Sequence, residues 1–164
     1  MDNFNVTAIH KTAYSTMRLP LHMGLLLVKD GRQKLTKEWT DICYNLGQLF
    51  QLHNDYSDAY VKESESGKAG YDIQEGKLTW LAVTALPRFN AQQLATFKEF
   101  YGSPDPDHAK RIKQLYDDLN MPQLYEEFES QKYNGLLSRI KALPTKGERT
   151  FFLNLLEGWY QNAY

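Results

Sequence analysis

Asn54, Asp55 and Asp58 stand close together in Phe50-Gln-Leu-His-Asn-Asp-Tyr-Ser-Asp58. On a helix, spacings of three and four residues turn side chains toward one side. Clustered carboxylates are hard oxygen ligands, suited to a divalent cation such as magnesium. Lys68 and Lys77 follow in Gly67-Lys-Ala-Gly-Tyr-Asp-Ile-Gln-Glu-Gly-Lys77, and ammonium groups can offset the charge of a diphosphate. These residue types point to metal and diphosphate chemistry. The set is incomplete, because Asn54 lends a carbonyl oxygen but no charge.

Plainer readings stand beside this one. Asp55 and Asp58 taken alone fit a solvated helix face. His53 is adjacent to Asn54 rather than four residues away, so it points elsewhere and reads as a structural or exposed imidazole. His10, His22 and His108 form no ligand spacing with it. Gly67-Lys-Ala-Gly70 lacks the pattern of a phosphate-cradling P-loop. Cys43 reads as a small packing residue.

The elements that must position these groups are helical throughout. Residues 7–28 read as a helix interrupted or kinked near Pro20, where the ring removes a donor and crowds the preceding turn. From 35 to 61, Trp39, Ile42, Leu46, Leu49 and Phe50 keep three-to-four spacing, which predicts a long amphipathic helix with the acidic cluster toward its C-terminal end. Residues 62–72 form a polar, Gly-punctuated loop. Helices are predicted over 75–86, 91–102 with Asn90 as N-cap, 107–119, 122–141 and 147–161. Ala109, Ile112, Tyr116 and Leu119 stripe the third of these, and Phe151, Phe152, Leu155, Leu156 and Trp159 mark the last. No alternating strand pattern occurs, so the fold class is all-α.

Composition narrows the function. A chain of 164 residues, 42% hydrophobic and 24% charged, suits one soluble domain over 1–164. Nineteen basic and twenty acidic residues leave a net charge of −1, which gives no footprint for nucleic acid or an anionic membrane. One cysteine cannot form an internal disulfide, and a reducing compartment, cytoplasmic or nuclear, follows as the expectation. Met23 to Val28 is too short to span a bilayer.

Lys11-Thr-Ala-Tyr14, Phe50-Gln-x-x-Asn-Asp-Tyr-x-Asp58, Gly67-Lys-x-Gly-x-Asp-Ile-Gln74 and Lys77-x-x-Trp80-Leu81 occur in this order, and together the chain resembles the C-terminal half of the farnesyl diphosphate synthases of the polyprenyl synthetase family. The likeness begins near Met1, as if the chain started at an internal methionine of the family sequence. It implies a helical bundle corresponding to the C-terminal half of the isoprenoid synthase fold. In that family two acid-rich motifs hold magnesium on an allylic diphosphate. Ionisation then gives a carbocation that isopentenyl diphosphate attacks. The resemblance assigns Lys11, Lys68 and Lys77 to diphosphate oxygens, Thr12 and Gln51 to the neighbourhood of the reacting carbon, and Asn54, Asp55, Asp58 and Asp72 to the metal wall.

Several positions depart from the pattern. The leading aspartate of the second acid-rich motif is Asn54, the small threonine of the Gly-Thr-Asp-Ile motif is Tyr71, and a bulky apolar residue is Ser57. Arg18 and His22 enter a helix that the family keeps apolar. No Asp-Asp-x-x-Asp sequence occurs. The expectation is a non-catalytic module with no cofactor, its site residues remnants. A protein partner or a second copy would cover the face of the family's N-terminal half. The competing expectation is one half of a two-chain, magnesium-dependent prenyltransferase or terpene synthase.

Overall fold

The computed structural model describes residues 2–28, 35–61, 64, 67 and 70–162. Every regular element among them is helical. Helix α1 (Asp2–Ala8) runs into a wider π-helical stretch (Ile9–Arg18) and on into α2 (Leu19–Val28). The expected interruption at Pro20 is therefore a change of winding. Leu19 N–H donates to the Tyr14 carbonyl five residues back, and the widened turn takes up the crowding that a proline ring brings to regular α-helix.

Helix α3 (Lys37–Tyr60) matches the long amphipathic prediction, with Ile42, Leu46, Leu49 and Leu52 buried. The Thr36 hydroxyl accepts from Trp39 N–H and closes its first turn. Helix α4 (Trp80–Ala85) begins later than the predicted residue 75. Gly76 takes a φ of 61° in the preceding turn, and the Thr79 side chain accepts from Ala82 N–H as the cap. A short 3-10 turn (Leu86–Arg88) follows. Helix α5 (Ala91–Phe100) starts at a capping box of Asn90 and Gln93. Helices α6 (Pro106–Asp118), α7 (Met121–Lys141) and α8 (Lys146–Asn162) complete the chain.

The chain divides into two compact units, Met1–Asn5 with Leu52–Phe128 and Val6–Gln51 with Glu129–Tyr164. In the first unit Phe4, Trp80, Ile112, Tyr116 and Met121 are almost fully buried. Trp80 packs against Tyr125 and Phe128 with ring centroids 6.1 and 5.5 Å apart. In the second unit Ile42, Leu49, Ile140, Phe152 and Leu156 form the core. Trp39 meets the Phe152 ring edge-on at 5.4 Å and donates from Nε1 to Glu148 at 3.0 Å. A Cβ on Gly47 would lie 2.3 Å from the Ala13 Cα, so the π-helical stretch and α3 touch backbone to backbone. The apolar stripe expected on the last helix is only half buried: Phe151 and Leu155 are exposed. The Trp159 side chain lies outside the described residues.

Candidate functional site

The acidic residues come together within the first unit, and each is tied to backbone or to a lysine. Asp55 is 3% exposed, and its Oδ2 accepts the Trp80 N–H at 2.7 Å. That N–H opens α4, where backbone donors lack intrahelical acceptors. Asp58, one turn further along α3, accepts from Tyr71 N–H at 3.3 Å and Asp72 N–H at 2.8 Å. Gly70 makes this possible, since a Cβ there would fall 1.9 Å from the Asp58 carbonyl oxygen. Burial pushes the Asp58 carboxyl above its ordinary range; the Asp72 and Tyr71 N–H donors pull it back, and the Asp72 charge pushes it up again.

Asp72 holds Lys77 at 2.8 Å, and Glu75 holds the same ammonium at 2.6 Å. Hydrogen bonds to Asp72 and then Glu75 keep Lys77 protonated well above the usual lysine range. Tyr101 O–H donates to the Lys77 carbonyl at 2.6 Å, which fixes the segment's path. Lys77 is thus a bridge between two acids. Lys68 lies outside the described residues. Asn54 is half-buried on α3. Tyr71, at the position of the family threonine, is 53% exposed.

Lys11, Thr12 and Gln51 belong to the second unit. Thr12 is buried, and its hydroxyl donates to Gln51 Oε1 at 2.5 Å. Lys11 is exposed on the π-helical stretch. His53 is buried, as a structural imidazole would be, with Nδ1 3.1 Å from the Tyr125 hydroxyl and Nε2 3.1 Å from the Ser57 hydroxyl. Ser57, a departure from the family pattern, therefore has a partner of its own.

Three contacts are not legible in the sequence motifs. Glu75 shares Lys77, and its place two residues earlier could have suggested it. Trp80 supplies the backbone donor that occupies Asp55, which only the packing of α4 reveals. Lys113, far away on α6, lines a polar cavity of about 200 Å³ with Asp58, Gly70 and Gln74. No linear spacing points to it.

A magnesium cluster needs several anionic oxygens facing one point. Here Asp55 and Asp58 hold backbone amides, Asp72 holds an ammonium, and residue 54 is a neutral amide. The described residues contain no group of three His, Cys, Asp or Glu side chains positioned for a metal. The donor set does not fit a magnesium cluster.

Comparison with known proteins agrees with the helical architecture. The family model for polyprenyl synthetase matches residues 1–119. Farnesyl pyrophosphate synthase of Murgantia histrionica is 32% identical over 160 residues, covering 98% of this chain and 40% of that protein. Farnesyl pyrophosphate synthase 2 of Lupinus albus is 36% identical over 137 residues, covering 84% and 40%. The solved T. brucei FPPS in complex with 2-(2,5-dichlorobenzo[b]thiophen-3-yl)acetic acid superposes with a TM-score of 0.91 at 29% identity, over 98% of this chain and 49% of that one. The chain therefore spans about two-fifths of the length of these curated relatives. No helix among the described residues is long and apolar enough to cross a membrane.

Proposed function

The chain belongs to the polyprenyl synthetase family, and from that premise we propose that it is a diverged, non-catalytic relative of farnesyl diphosphate synthase acting as a protein-interaction or dimerisation module. One observation carries the reading: residue 54 is an amide, while the neighbouring carboxylates Asp55 and Asp58 are engaged by the Trp80, Tyr71 and Asp72 backbone. Coordinating a cation would set it in competition with the N–H groups that hold α4 and the 71–72 turn in place. Charge at the remaining ligand position is absent. The module works without a magnesium centre, and its partner is protein rather than nucleic acid or membrane. Exposed Met23, Leu26 and Leu27 support association, because contiguous apolar surface on a soluble protein marks contact sites.

Incubation of the purified protein with isopentenyl and geranyl diphosphates and magnesium tests the reading. The expected result is no product and no magnesium-dependent thermal stabilisation with a bisphosphonate. Magnesium-dependent product from this chain refutes it.

The Thr12–Gln51 hydrogen bond favours a second reading, in which the chain supplies half of a two-chain prenyltransferase. These are the positions that the family resemblance sets near the reacting carbon, and here they remain paired. Co-purification should then recover a polypeptide carrying Asp-Asp-x-x-Asp. A purely homomeric protein excludes that reading.

A further inference from the structure

We propose that Tyr125 and His53 form a redox-active tyrosine–imidazole pair, joined to the protein surface by the stacked rings of Tyr56 and Tyr60. This chemistry needs neither magnesium nor a diphosphate, so it stands apart from the interaction-module reading. Tyr125, His53, Tyr56 and Tyr60 all belong to the first unit. Tyr125 is 3% exposed, and its hydroxyl lies 3.1 Å from His53 Nδ1. A phenol is a stronger acid than an aliphatic hydroxyl. Tyr125 O–H therefore donates to Nδ1, and the neutral imidazole keeps its own proton on Nε2, 3.1 Å from the Ser57 oxygen that accepts it. A base thus stands within reach of the proton that a tyrosine must release when it is oxidised.

Ring packing supplies the route for the electron. Tyr125 and Tyr56 lie face to face, with centroids 3.9 Å apart and planes 10° from parallel. Neutral aromatic pairs favour offset or edge-on packing at about 4.5–7 Å, because their negative faces repel. Loss of an electron from one ring reverses that repulsion, since an electron-poor face attracts its neighbour. The sandwich therefore favours the oxidised pair. Tyr60 continues the stack, 4.9 Å from Tyr56 and 21° from parallel, one turn further along the same face of α3. Its hydroxyl donates to Asp117 Oδ1 at 3.0 Å in an exposed contact, so the surface end has a proton acceptor as well.

The oxidant is of the small, outer-sphere, one-electron class. Tyr60 gives it one electron, Tyr56 refills Tyr60, and Tyr125 refills Tyr56. Asp117 can hold the Tyr60 proton while that ring is oxidised, and returns it afterwards. As Tyr125 loses its electron, its O–H bond breaks and the proton moves to His53 Nδ1. The products are a neutral phenoxyl radical, an imidazolium and the reduced oxidant. Ascorbate giving one electron at Tyr60 reverses the sequence, and the proton goes back from His53 to the phenoxyl oxygen.

Hexachloroiridate(IV) mixed with the full chain, followed by freezing at set times and electron paramagnetic resonance, reads the site. The wild type should give a persistent tyrosyl signal, because a buried phenoxyl cannot couple with a second one. Tyr125→Phe keeps the ring and should lose that signal, since exposed tyrosines such as Tyr14 and Tyr71 yield only short-lived radicals. His53→Gln keeps an acceptor for the phenol but no base, and should slow radical formation about 100-fold, the lower end of what a positioned base contributes. Tyr56→Phe preserves the stack, interrupts the electron route and should also slow formation. Heavy water should slow the wild type, because a proton moves with the electron. That isotope effect is read on the unaltered chain, so it decides the matter even where a variant fails to fold. A wild type without a persistent radical overturns the proposal. So does a signal that survives in Tyr125→Phe, a folded His53→Gln or Tyr56→Phe as fast as the wild type, or a rate that heavy water leaves unchanged.

Discussion

Replacing Asp55 with alanine separates a structural carboxylate from a metal ligand. Asp55 is 3% exposed and accepts the Trp80 N–H at 2.7 Å. Trp80 is the first residue of α4 and 1% exposed, so water cannot replace the lost acceptor. A hydrogen bond to a charged group contributes about 1.5–3 kcal/mol, and an anion at a helix start adds about 0.3–1 kcal/mol. Asp55→Ala should therefore cost about 2–4 kcal/mol, a large part of a typical net stability of about 5–15 kcal/mol. Asp55→Asn keeps an acceptor oxygen and loses the charge, so its cost should be about half as large. Urea unfolding followed by tryptophan fluorescence, with and without magnesium, measures both. The reasoning fails if Asp55→Ala unfolds within about 0.5 kcal/mol of the wild type, the range of a neutral surface change. It fails equally if the loss appears only when magnesium is present, since Asp55 would then act as a ligand.

Three further predictions follow from the same contacts. Asn54→Asp restores an anionic oxygen, and calorimetry with magnesium and a bisphosphonate should register binding heat that the wild type lacks; no heat in either protein would mean that residue 54 does not face the metal wall. Gly47→Ala puts a Cβ 2.3 Å from the Ala13 Cα and should lower stability by about 1–3 kcal/mol in a thermal melt, the usual cost of overpacking; a neutral result would show that the helices part freely. Burial pushes the Cys43 thiol from 9.0 up to about 11, with Arg18 opposing the shift. Alkylation of the folded protein at pH 8 should then run about 100-fold slower than in urea. Because the folded-state value is the higher one, the thiol's contribution to stability is complete below pH 9 and is lost as the pH rises through 11; equal rates in the two states would contradict this.

Periodicity alone was sufficient to locate α3, because Ile42, Leu46 and Leu49 repeat at the interval of a helix face and are buried. Asn90 marks the start of α5 for a local reason, in that its side chain accepts a hydrogen bond from the N–H three residues on. The start of α4 was misread by five residues, since the left-handed Gly76 and the Thr79 cap govern it and neither disturbs the apolar pattern. The winding around Pro20 was legible only as a disturbance, as proline permits a break, a kink or a widened turn.

The order of side chains sufficed to identify the family, the all-helical class and the missing charge at residue 54. These are matters of residue type and interval, which the chain carries before it folds. What each surviving acid does was decided by tertiary structure. Asp55 is spent on Trp80 and Asp58 on the 71–72 turn because a buried carboxylate must find donors, and the nearest ones come from segments 13 to 25 residues away. Folding likewise left the apolar stripe of α2 facing water. Burial depends on what packs opposite a helix, and that is not written in the helix itself.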